Sequence, residues 1–334
     1  MYQSILNSKK MKDLILFGDN RQTLTQFDEK ARCCITSPPY YGLRDYGGED
    51  KQIGQENTPE EYIQNLVEVF RLVRDNLTDD GTLWVNIGDS YYNYRPGKGQ
   101  SYPKQSVSNT KQDLPDKCSK RGNKLEGLKE KDLIGIPWML AFALRQDGWY
   151  LRQDIIWHKP NPMPESVKDR CTKSHEYIFL LSKNKKYYYD HESIKEKAVG
   201  ERWGGNTPIN MNNTKDKDGQ FSGLTRPRKM VYDKRNKRSV WKVATKPYKG
   251  SHFAVFPEEL IKPCILAGSE PNDIILDPFM GSGTTASVAK ELNRYYMGCE
   301  LHEEYGELIR NRVPVEELPP NPLEMVMFGD ILPK

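Results

Sequence analysis

The stretch Asp273–Thr285, DIILDPFMGSGTT, decides the fold. Its apolar run Ile274–Leu276 predicts a β-strand, and the residues Thr284–Leu292 predict a helix. Gly281 and Gly283 lie between the two. Because glycine has no Cβ, the chain can turn sharply there and approach a ligand closely. This order of strand, glycine turn and helix indicates a ligand site where the new helix presents its free N–H groups.

Glu300 sharpens this interpretation, because it ends the next predicted strand, Tyr296–Cys299. A carboxylate at this place can accept hydrogen bonds from the hydroxyls of a ribose. The turn contains no Gly-Lys-Ser/Thr, which disfavours a phosphate-binding P-loop. On these residues alone, a structural turn with a surface glutamate stays open as the alternative.

Working outward, short β-like runs alternate with helical runs, which predicts an α/β fold with a mostly parallel sheet and covering helices. The predicted strands are Leu14–Phe17, Cys33–Thr36, Thr82–Ile87, Asp154–His158, Tyr177–Leu181, Ile274–Leu276 and Tyr296–Cys299. The predicted helices are Pro59–Asn76, Pro137–Gln146, Pro257–Ala267 and Thr284–Leu292.

Two polar segments interrupt this rhythm. Residues 95–131 predict a mobile loop or a small excursion. Residues 195–248 overlap a basic run in which Asp233 is the one acid. The basic residues are Arg226, Arg228, Lys229, Lys234, Arg235, Lys237, Arg238, Lys242, Lys246 and Lys249. Aromatic residues such as Trp203 and Trp241 are interleaved with them, which suits a nucleic-acid surface better than a flexible linker.

A second chemical constellation lies in Cys33–Tyr40, CCITSPPY. Pro38 and Pro39 stiffen the backbone and remove two N–H donors. What remains is the Ser37 hydroxyl oxygen and the Pro38 carbonyl as acceptors, with the ring of Tyr40 beside them. Acceptors next to an aromatic plate suit an aromatic amine, although a proline-rich turn after a core strand is the structural alternative.

The chemistry of such an amine explains this residue choice. The lone pair of an exocyclic base amine is delocalised into the ring, so the nitrogen is a poor nucleophile. Two hydrogen bonds accepted from the NH₂ group would localise the lone pair and stabilise positive charge that develops during methyl transfer. Tyr40 could stack on a base that has been flipped out of the duplex, where the amine becomes reachable.

Composition excludes several other classes. The 334 residues carry a formal net charge of +4, and no stretch approaches the length of an apolar membrane span. The start of the chain has no secretory h-region, so we expect a cytoplasmic protein. The six cysteines form no C-x-x-C pair and the five histidines no H-x-x-x-H pair, so we expect reduced thiols and no metal site.

Taken together in this order, the motifs resemble those of the N4-cytosine/N6-adenine (amino) DNA methyltransferases, in the β-type arrangement with the catalytic motif first. The resemblance covers most of the chain outside residues 95–131 and 195–248. The matching stretches are Leu16–Asp19, Thr36–Tyr40, Gly81–Asp89, Asp132–Trp138, Ile156–Asn161, Asp169–Arg170, His175–Glu176, His252–Glu258, Asp277–Gly283 and Gly298–Glu300.

The resemblance implies a Rossmann-like, S-adenosylmethionine-dependent methyltransferase fold with a seven-stranded, mostly parallel sheet and one reversed strand. It implies a catalytic domain of residues 1–194 and 249–334 and a target-recognition region of residues 195–248. It also implies that Ser37 and Pro38 hold the amine, with Pro39 stiffening the motif and Tyr40 on the base. The residues that it implies for S-adenosyl-L-methionine are Asp19, Phe256, Asp277, Phe279, Gly281, Gly283, Thr284, Thr285 and Glu300.

The implied substrate is double-stranded DNA, with a cognate restriction endonuclease as an open partner and the oligomeric state also open. The expected DNA contacts are Lys159, Arg170, Arg235 and Lys237. In this family, serine at the first motif position favours cytosine N4 over adenine N6. Adenine N6 methylation, RNA or protein glutamine as substrate, a catalytically inactive DNA-binding homologue and a dinucleotide oxidoreductase are the alternatives. Ring-carbon methylation is disfavoured, because it needs a thiolate and Cys33 and Cys34 are predicted core residues.

Overall fold

The computed structural model describes residues 12–42, 52–92, 125–198, 233–245 and 256–313. These residues divide into a main unit, reaching Asp190 and resuming at Ser239, and a small unit of residues 191–238. Most of the predicted loop 95–131, the segment 199–232 and His252 lie outside the described residues. No helix in the described part of the chain is both long and apolar enough to cross a membrane.

The main unit is built on one eight-stranded sheet. Its strands are β1 (Leu14–Phe17), β2 (Ala31–Thr36), β3 (Leu77–Ile87), β4 (Tyr150–His158), β5 (His175–Ser182), β8 (Val240–Lys242), β9 (Ile274–Asp277) and β10 (Tyr295–Glu300). They lie in the order β1-β10-β9-β2-β3-β5-β4-β8. All neighbouring pairs are parallel except the two that β5 makes with β3 and β4. A single reversed strand therefore interrupts an otherwise parallel sheet.

Seven of these strands are the seven that the sequence predicts, and β8 is an additional edge strand. Val240 pairs with Ile156 of β4, and the buried Trp241 lies opposite Trp157. The Trp157 Nε1 donates a hydrogen bond of 2.8 Å to the Val243 carbonyl. Residues 239–245 therefore pack on the main sheet, although the predicted recognition region of residues 195–248 includes them.

Helices cover the sheet, and their boundaries follow from ordinary capping chemistry. They are α1 (Asn20–Thr23), α2 (Pro59–Asn76), α3 (Ile136–Gln146), α4 (Glu258–Gly268), α5 (Thr284–Glu291) and α6 (Tyr305–Arg312). In α2, Thr58 and Glu61 form a capping box and Pro59 occupies the first turn. Neither α1 nor α6 was predicted: α1 is a single turn of four residues, and α6 buries only Gly306 and Ile309, so its apolar periodicity is weak.

The small unit contains a two-stranded antiparallel ladder of β6 (Glu196–Lys197) and β7 (Lys234–Arg235). The Glu196 carboxylate accepts hydrogen bonds from Arg235 at 2.9 Å and from Arg238 at 2.6 Å. These ion pairs hold Arg235 and Arg238 of the basic run against Glu196 of the β6–β7 ladder.

Candidate functional site

A cavity of about 430 Å³ opens along the edge where the parallel strands of the main sheet end. Residues that follow β1, β2, β9 and β10 line it, together with the last residues of β3 and β4. Because β5 runs in the opposite direction, its first residues also reach this edge. The lining includes Asp19, Ser37, Pro38, Pro39, Tyr40, Asn86, Trp157, Lys159, Glu176, Phe256, Asp277, Phe279, Met280, Gly281, Thr284, Glu300 and His302.

The glycine turn closes one end of the cavity. Gly281 and Gly283 have φ angles of +56° and +79°, in the left-handed region that side chains with a Cβ disfavour. The Gly281 N–H donates a hydrogen bond of 2.7 Å to Glu300 Oε2. A Cβ on Gly283 would lie 3.1 Å from the Ile309 side chain, so this glycine serves packing against α6.

Glu300 is the buried acid of this end, with 7% of its surface exposed. Its second oxygen, Oε1, accepts the His302 N–H at 3.0 Å. Burial raises the pKa of the Glu300 carboxyl to about 7, although these backbone hydrogen bonds oppose the rise. Each carboxylate oxygen has a second lone pair, so Glu300 can still accept a hydroxyl donor from the cavity.

Asp277 lies at the bottom of the cavity, and protein groups already satisfy its carboxylate. Thr36 and Thr285 each donate a hydroxyl hydrogen bond of 2.6 Å to it, and the Phe279 N–H donates one of 3.0 Å. Burial raises the pKa of the Asp277 carboxyl to about 6. Asp277 therefore joins the glycine turn to the strand that carries Ser37, and it orients both.

The remaining predicted cofactor residues divide into two groups. Asp19, Phe256, Phe279 and Thr284 line the cavity, as the prediction requires. Thr285 is fully buried with its hydroxyl on Asp277, and Gly283 packs on α6, so these two shape the turn from behind the cavity wall. The Asp19 carboxylate caps α1 and pairs with the Arg21 guanidinium at 2.8 Å.

Ser37, Pro38, Pro39 and Tyr40, which follow β2, form another part of the cavity wall. The Ser37 hydroxyl donates to Asn86 Oδ1 over 3.4 Å, and the Tyr40 hydroxyl lies 2.8 Å from Glu176 Oε2. Burial, followed by the Glu176 charge, raises the pKa of the Tyr40 hydroxyl well above its usual value, so it stays a neutral donor.

Asn86 and Glu176 are the functional candidates that our sequence analysis did not select. Asn86 Nδ2 donates to the Tyr177 carbonyl at 3.1 Å, which turns its Oδ1 toward Ser37 and Tyr40. The Glu176 carboxylate also pairs with the Lys159 ammonium. Asn86, a polar residue inside the apolar run of β3, was a usable signal, because such residues are rarely buried without a partner, whereas Glu176 precedes the apolar run of β5.

The predicted DNA contacts have different environments. Lys159 lines the cavity, whereas Arg170 pairs with Glu165 at 2.6 Å and covers the Tyr91 ring at 4.0 Å. Arg235 and Lys237 belong to the small unit, where Arg235 pairs with Glu196.

Cys33 and Cys34 are fully buried in the sheet, as predicted. Burial raises the pKa of the Cys33 thiol to about 12 and that of Cys34 well above its usual value. Neither thiol can supply a thiolate nucleophile to the cavity at neutral pH. Among the residues that the structure describes, no group of three or more His, Cys, Asp or Glu side chains could hold a metal ion.

Comparisons with known proteins point to one family. The family model described as DNA methylase matches residues 31–311. The Type II methyltransferase M.SmaI of Serratia marcescens is 50% identical over 305 residues, which cover 90% of this chain and 90% of that protein. M.Cfr9I of Citrobacter freundii, also a Type II methyltransferase, is 48% identical over 286 residues, covering 86% of this chain and 82% of that protein.

Two solved structures share the fold. The PvuII DNA methyltransferase (cytosine-N4-specific) superposes with a TM-score of 0.58 at 16% identity, covering 95% of this chain and 92% of that chain. A Thermus thermophilus protein, a DNA modification methylase by its description, was solved in complex with S-adenosyl-L-methionine. It superposes with a TM-score of 0.53 at 21% identity, covering 89% of this chain and 91% of that chain.

Proposed function

Because the chain belongs to the DNA methylase family of N6 and N4 methyltransferases, we propose that it methylates the N4 amine of a flipped-out cytosine in double-stranded DNA. The methyl donor is S-adenosyl-L-methionine. One observation carries the proposal: the Ser37–Tyr40 segment, which follows β2, lines the same cavity as the glycine turn after β9 and Glu300 at the end of β10. An amine held at the first can therefore meet a methyl donor held at the second.

The choice of cytosine N4 rests on two further points. Ser37, a neutral acceptor, occupies the first position of the motif, where the family resemblance favours cytosine. The solved neighbour with the higher TM-score of the two is named as cytosine-N4-specific. Adenine N6 is the outcome that the test below must separate.

The cavity fits the proposed methyl donor. Glu300 offers carboxylate lone pairs to ribose hydroxyls, and Asp19 lies at the neighbouring wall. Phe256, Phe279 and Met280 supply apolar surface. When bound, S-adenosyl-L-methionine supplies an electrophilic methyl group on its sulfonium sulfur.

The chain's own groups prepare the amine. Because the Ser37 hydroxyl donates to Asn86, its lone pairs remain to accept one N–H of the base, and the Pro38 carbonyl can accept the other. These bonds localise the nitrogen lone pair and stabilise the charge that develops there. S-adenosyl-L-methionine would supply the methyl group to this nitrogen, with its sulfur left as the neutral thioether, and the nitrogen would lose one proton to solvent.

Mass spectrometry of nucleosides tests the proposal. DNA is incubated with the protein and isotopically labelled S-adenosylmethionine and then digested. We expect labelled N4-methyldeoxycytidine. Labelled N6-methyldeoxyadenosine instead would keep the mechanism and overturn the base. If neither product forms on diverse duplex DNA while S-adenosylhomocysteine still binds, the proposal that DNA is the substrate is wrong. RNA would then be tested as the substrate.

The partners follow from the same family. Both curated relatives are named Type II methyltransferases, so we infer that this chain protects a site that a cognate restriction endonuclease cleaves. We further propose that residues 195–238, together with Lys242, Lys246 and Lys249, recognise the target sequence in DNA, since their positive charge suits the phosphate backbone.

Salt dependence tests that recognition surface. Changing both Arg235→Gln and Lys237→Gln should lower the slope of log K against log salt for DNA binding by roughly 1 to 2, because each phosphate contact contributes about 0.9. The matched control is Lys262→Gln with Lys290→Gln: Lys262 of α4 pairs with Glu291, and Lys290 of α5 pairs with Asp13. A slope that the first pair leaves unchanged would place the DNA surface elsewhere.

Cofactor affinity should depend on pH through Glu300. The raised pKa means that the free protein holds Glu300 protonated below about 7. Since ribose hydroxyls donate to the ionised form, affinity should be full above this pH and fall on acidification, by about tenfold between pH 7.5 and 6. Calorimetry with S-adenosylhomocysteine measures it. Glu300→Gln should bind more weakly with a flatter profile, while Asp277 still titrates; an unaltered profile would contradict the role.

A further inference from the structure

Lys159 and Glu176 form an ion pair inside the cavity that the proposed methyl transfer leaves without a role. Their side chains are only 19% and 15% exposed. The Lys159 ammonium also lies 4.2 Å above the Trp157 ring, which holds it from a second side. Taking such a pair from water costs free energy, so an ion pair in a ligand cavity points to recognition of the ligand.

This pair is linked through polar contacts to the Ser37–Tyr40 wall, where the base amine is proposed to bind. Glu176 Oε1 pairs with Lys159, and its Oε2 lies 2.8 Å from the Tyr40 hydroxyl. That hydroxyl lies 3.3 Å from Asn86 Oδ1, which accepts the Ser37 hydroxyl. A cationic donor, Lys159, and a neutral acceptor, Ser37, are thus connected through Glu176, Tyr40 and Asn86. Among the described residues that line the cavity, Lys159 is the one lysine or arginine.

The Watson–Crick edge of cytosine has the complementary pattern. Its N4 amine donates, and the adjacent ring nitrogen N3 accepts. We propose that Lys159 donates a hydrogen bond to N3 of the flipped base, while Glu176 is the positioning residue that aims both Lys159 and Tyr40. This inference rests on the proposed function. Thymine presents an N3–H donor, so the Lys159 ammonium would reject it.

A cycle of protein and substrate changes tests the contact. The substrates are two duplexes that carry the mapped methylation site, one with cytosine and one with 3-deazacytosine at the target. The second keeps the amine and lacks the N3 acceptor. Lys159→Met should lower kcat/KM on cytosine by about 10- to 100-fold, because a hydrogen bond to a charged group is lost. On 3-deazacytosine the same variant should cost less than about threefold.

Two controls separate this role from others. Lys168 is an exposed lysine of the same loop and does not line the cavity. Lys168→Met should therefore affect both duplexes equally. Glu176→Gln still accepts from Tyr40 but no longer neutralises Lys159, so it should narrow the preference for cytosine over 3-deazacytosine without changing the Kd of S-adenosylhomocysteine. Thermal unfolding confirms that each variant is folded.

The contradictory outcome is specific. If Lys159→Met lowers kcat/KM by the same factor on both duplexes, Lys159 is a structural or backbone-binding group and the proposal is wrong. Failure of the proposed function has a different signature, because wild-type protein would then give no methylated cytosine. Where mass spectrometry finds methylated adenine, 1-deazaadenine replaces 3-deazacytosine, since adenine N1 adjoins N6 in the same way.

Discussion

Ser37→Ala is expected to lower kcat by about 10²- to 10³-fold while the Kd of S-adenosylhomocysteine changes less than twofold. The factor is that of removing one group that stabilises charge in the transition state. Ser37 follows β2, whereas Gly281 follows β9 and Glu300 ends β10, so the methyl donor should not sense its loss. Single-turnover kinetics measure the chemical step, and calorimetry measures the cofactor.

The matched control is Ser287→Ala, which removes a hydroxyl that bonds the Arg312 carbonyl outside the cavity. That variant should keep kcat near the wild-type value. Equal losses of turnover and cofactor affinity in Ser37→Ala would contradict the assignment, because they would place Ser37 with the cofactor. Tyr40→Ala should behave like Ser37→Ala, with an added rise in KM for DNA if its ring stacks on the base.

The sequence was sufficient for most of the fold because the strands are short, apolar and followed by strong turn signals. The predicted family and methyltransferase fold are confirmed. The edge strand Val240–Lys242 was missed, since two of its three side chains are exposed and a basic run surrounds it. What holds it is a tertiary contact, the Trp157 indole on the Val243 carbonyl, and no local pattern encodes that contact.

The site was predictable only in part for a related reason. Motif spacing selected Ser37 and Glu300, because each directly follows a predicted strand, and Gly281, because it lies in the turn between a predicted strand and a predicted helix. Glu176 and Lys159 meet only because β5 is reversed, which brings its first residues to the edge where β4 ends. Pairing across an antiparallel register joins residues distant in the chain, and single-sequence periodicity does not reveal such partners.

Asp277 illustrates a second limit. An acid ahead of a glycine turn was predicted to touch the cofactor, and that role remains a proposal. The structure surrounds its carboxylate with Thr36, Thr285 and the Phe279 N–H. Local sequence identifies which residue is acidic, whereas one of its hydrogen-bond partners, Thr36, lies on a strand more than two hundred residues earlier.

Gly281→Val is expected to weaken S-adenosylhomocysteine binding by at least about 30-fold. Two effects combine. A β-branched residue at φ +56° strains the backbone by about 1–2 kcal/mol or more, and relief of that strain would withdraw the Gly281 N–H from Glu300. An acceptor left unsatisfied in this buried place costs a further ~1–3 kcal/mol, and each 1.4 kcal/mol is about tenfold in affinity.

Gly127→Val isolates the strain from the site. Gly127 also has a positive φ, +83°, with nothing within 4 Å of the position that a Cβ would take, and it does not line the cavity. Both variants should therefore lower the melting temperature of the free protein. Only Gly281→Val should also weaken the cofactor affinity of the molecules that remain folded. Calorimetric affinity retained in folded Gly281→Val would show that the turn serves only the fold. The methyl donor would then have to bind through Glu300, Phe256 and Phe279 alone, without approaching the backbone of the turn closely.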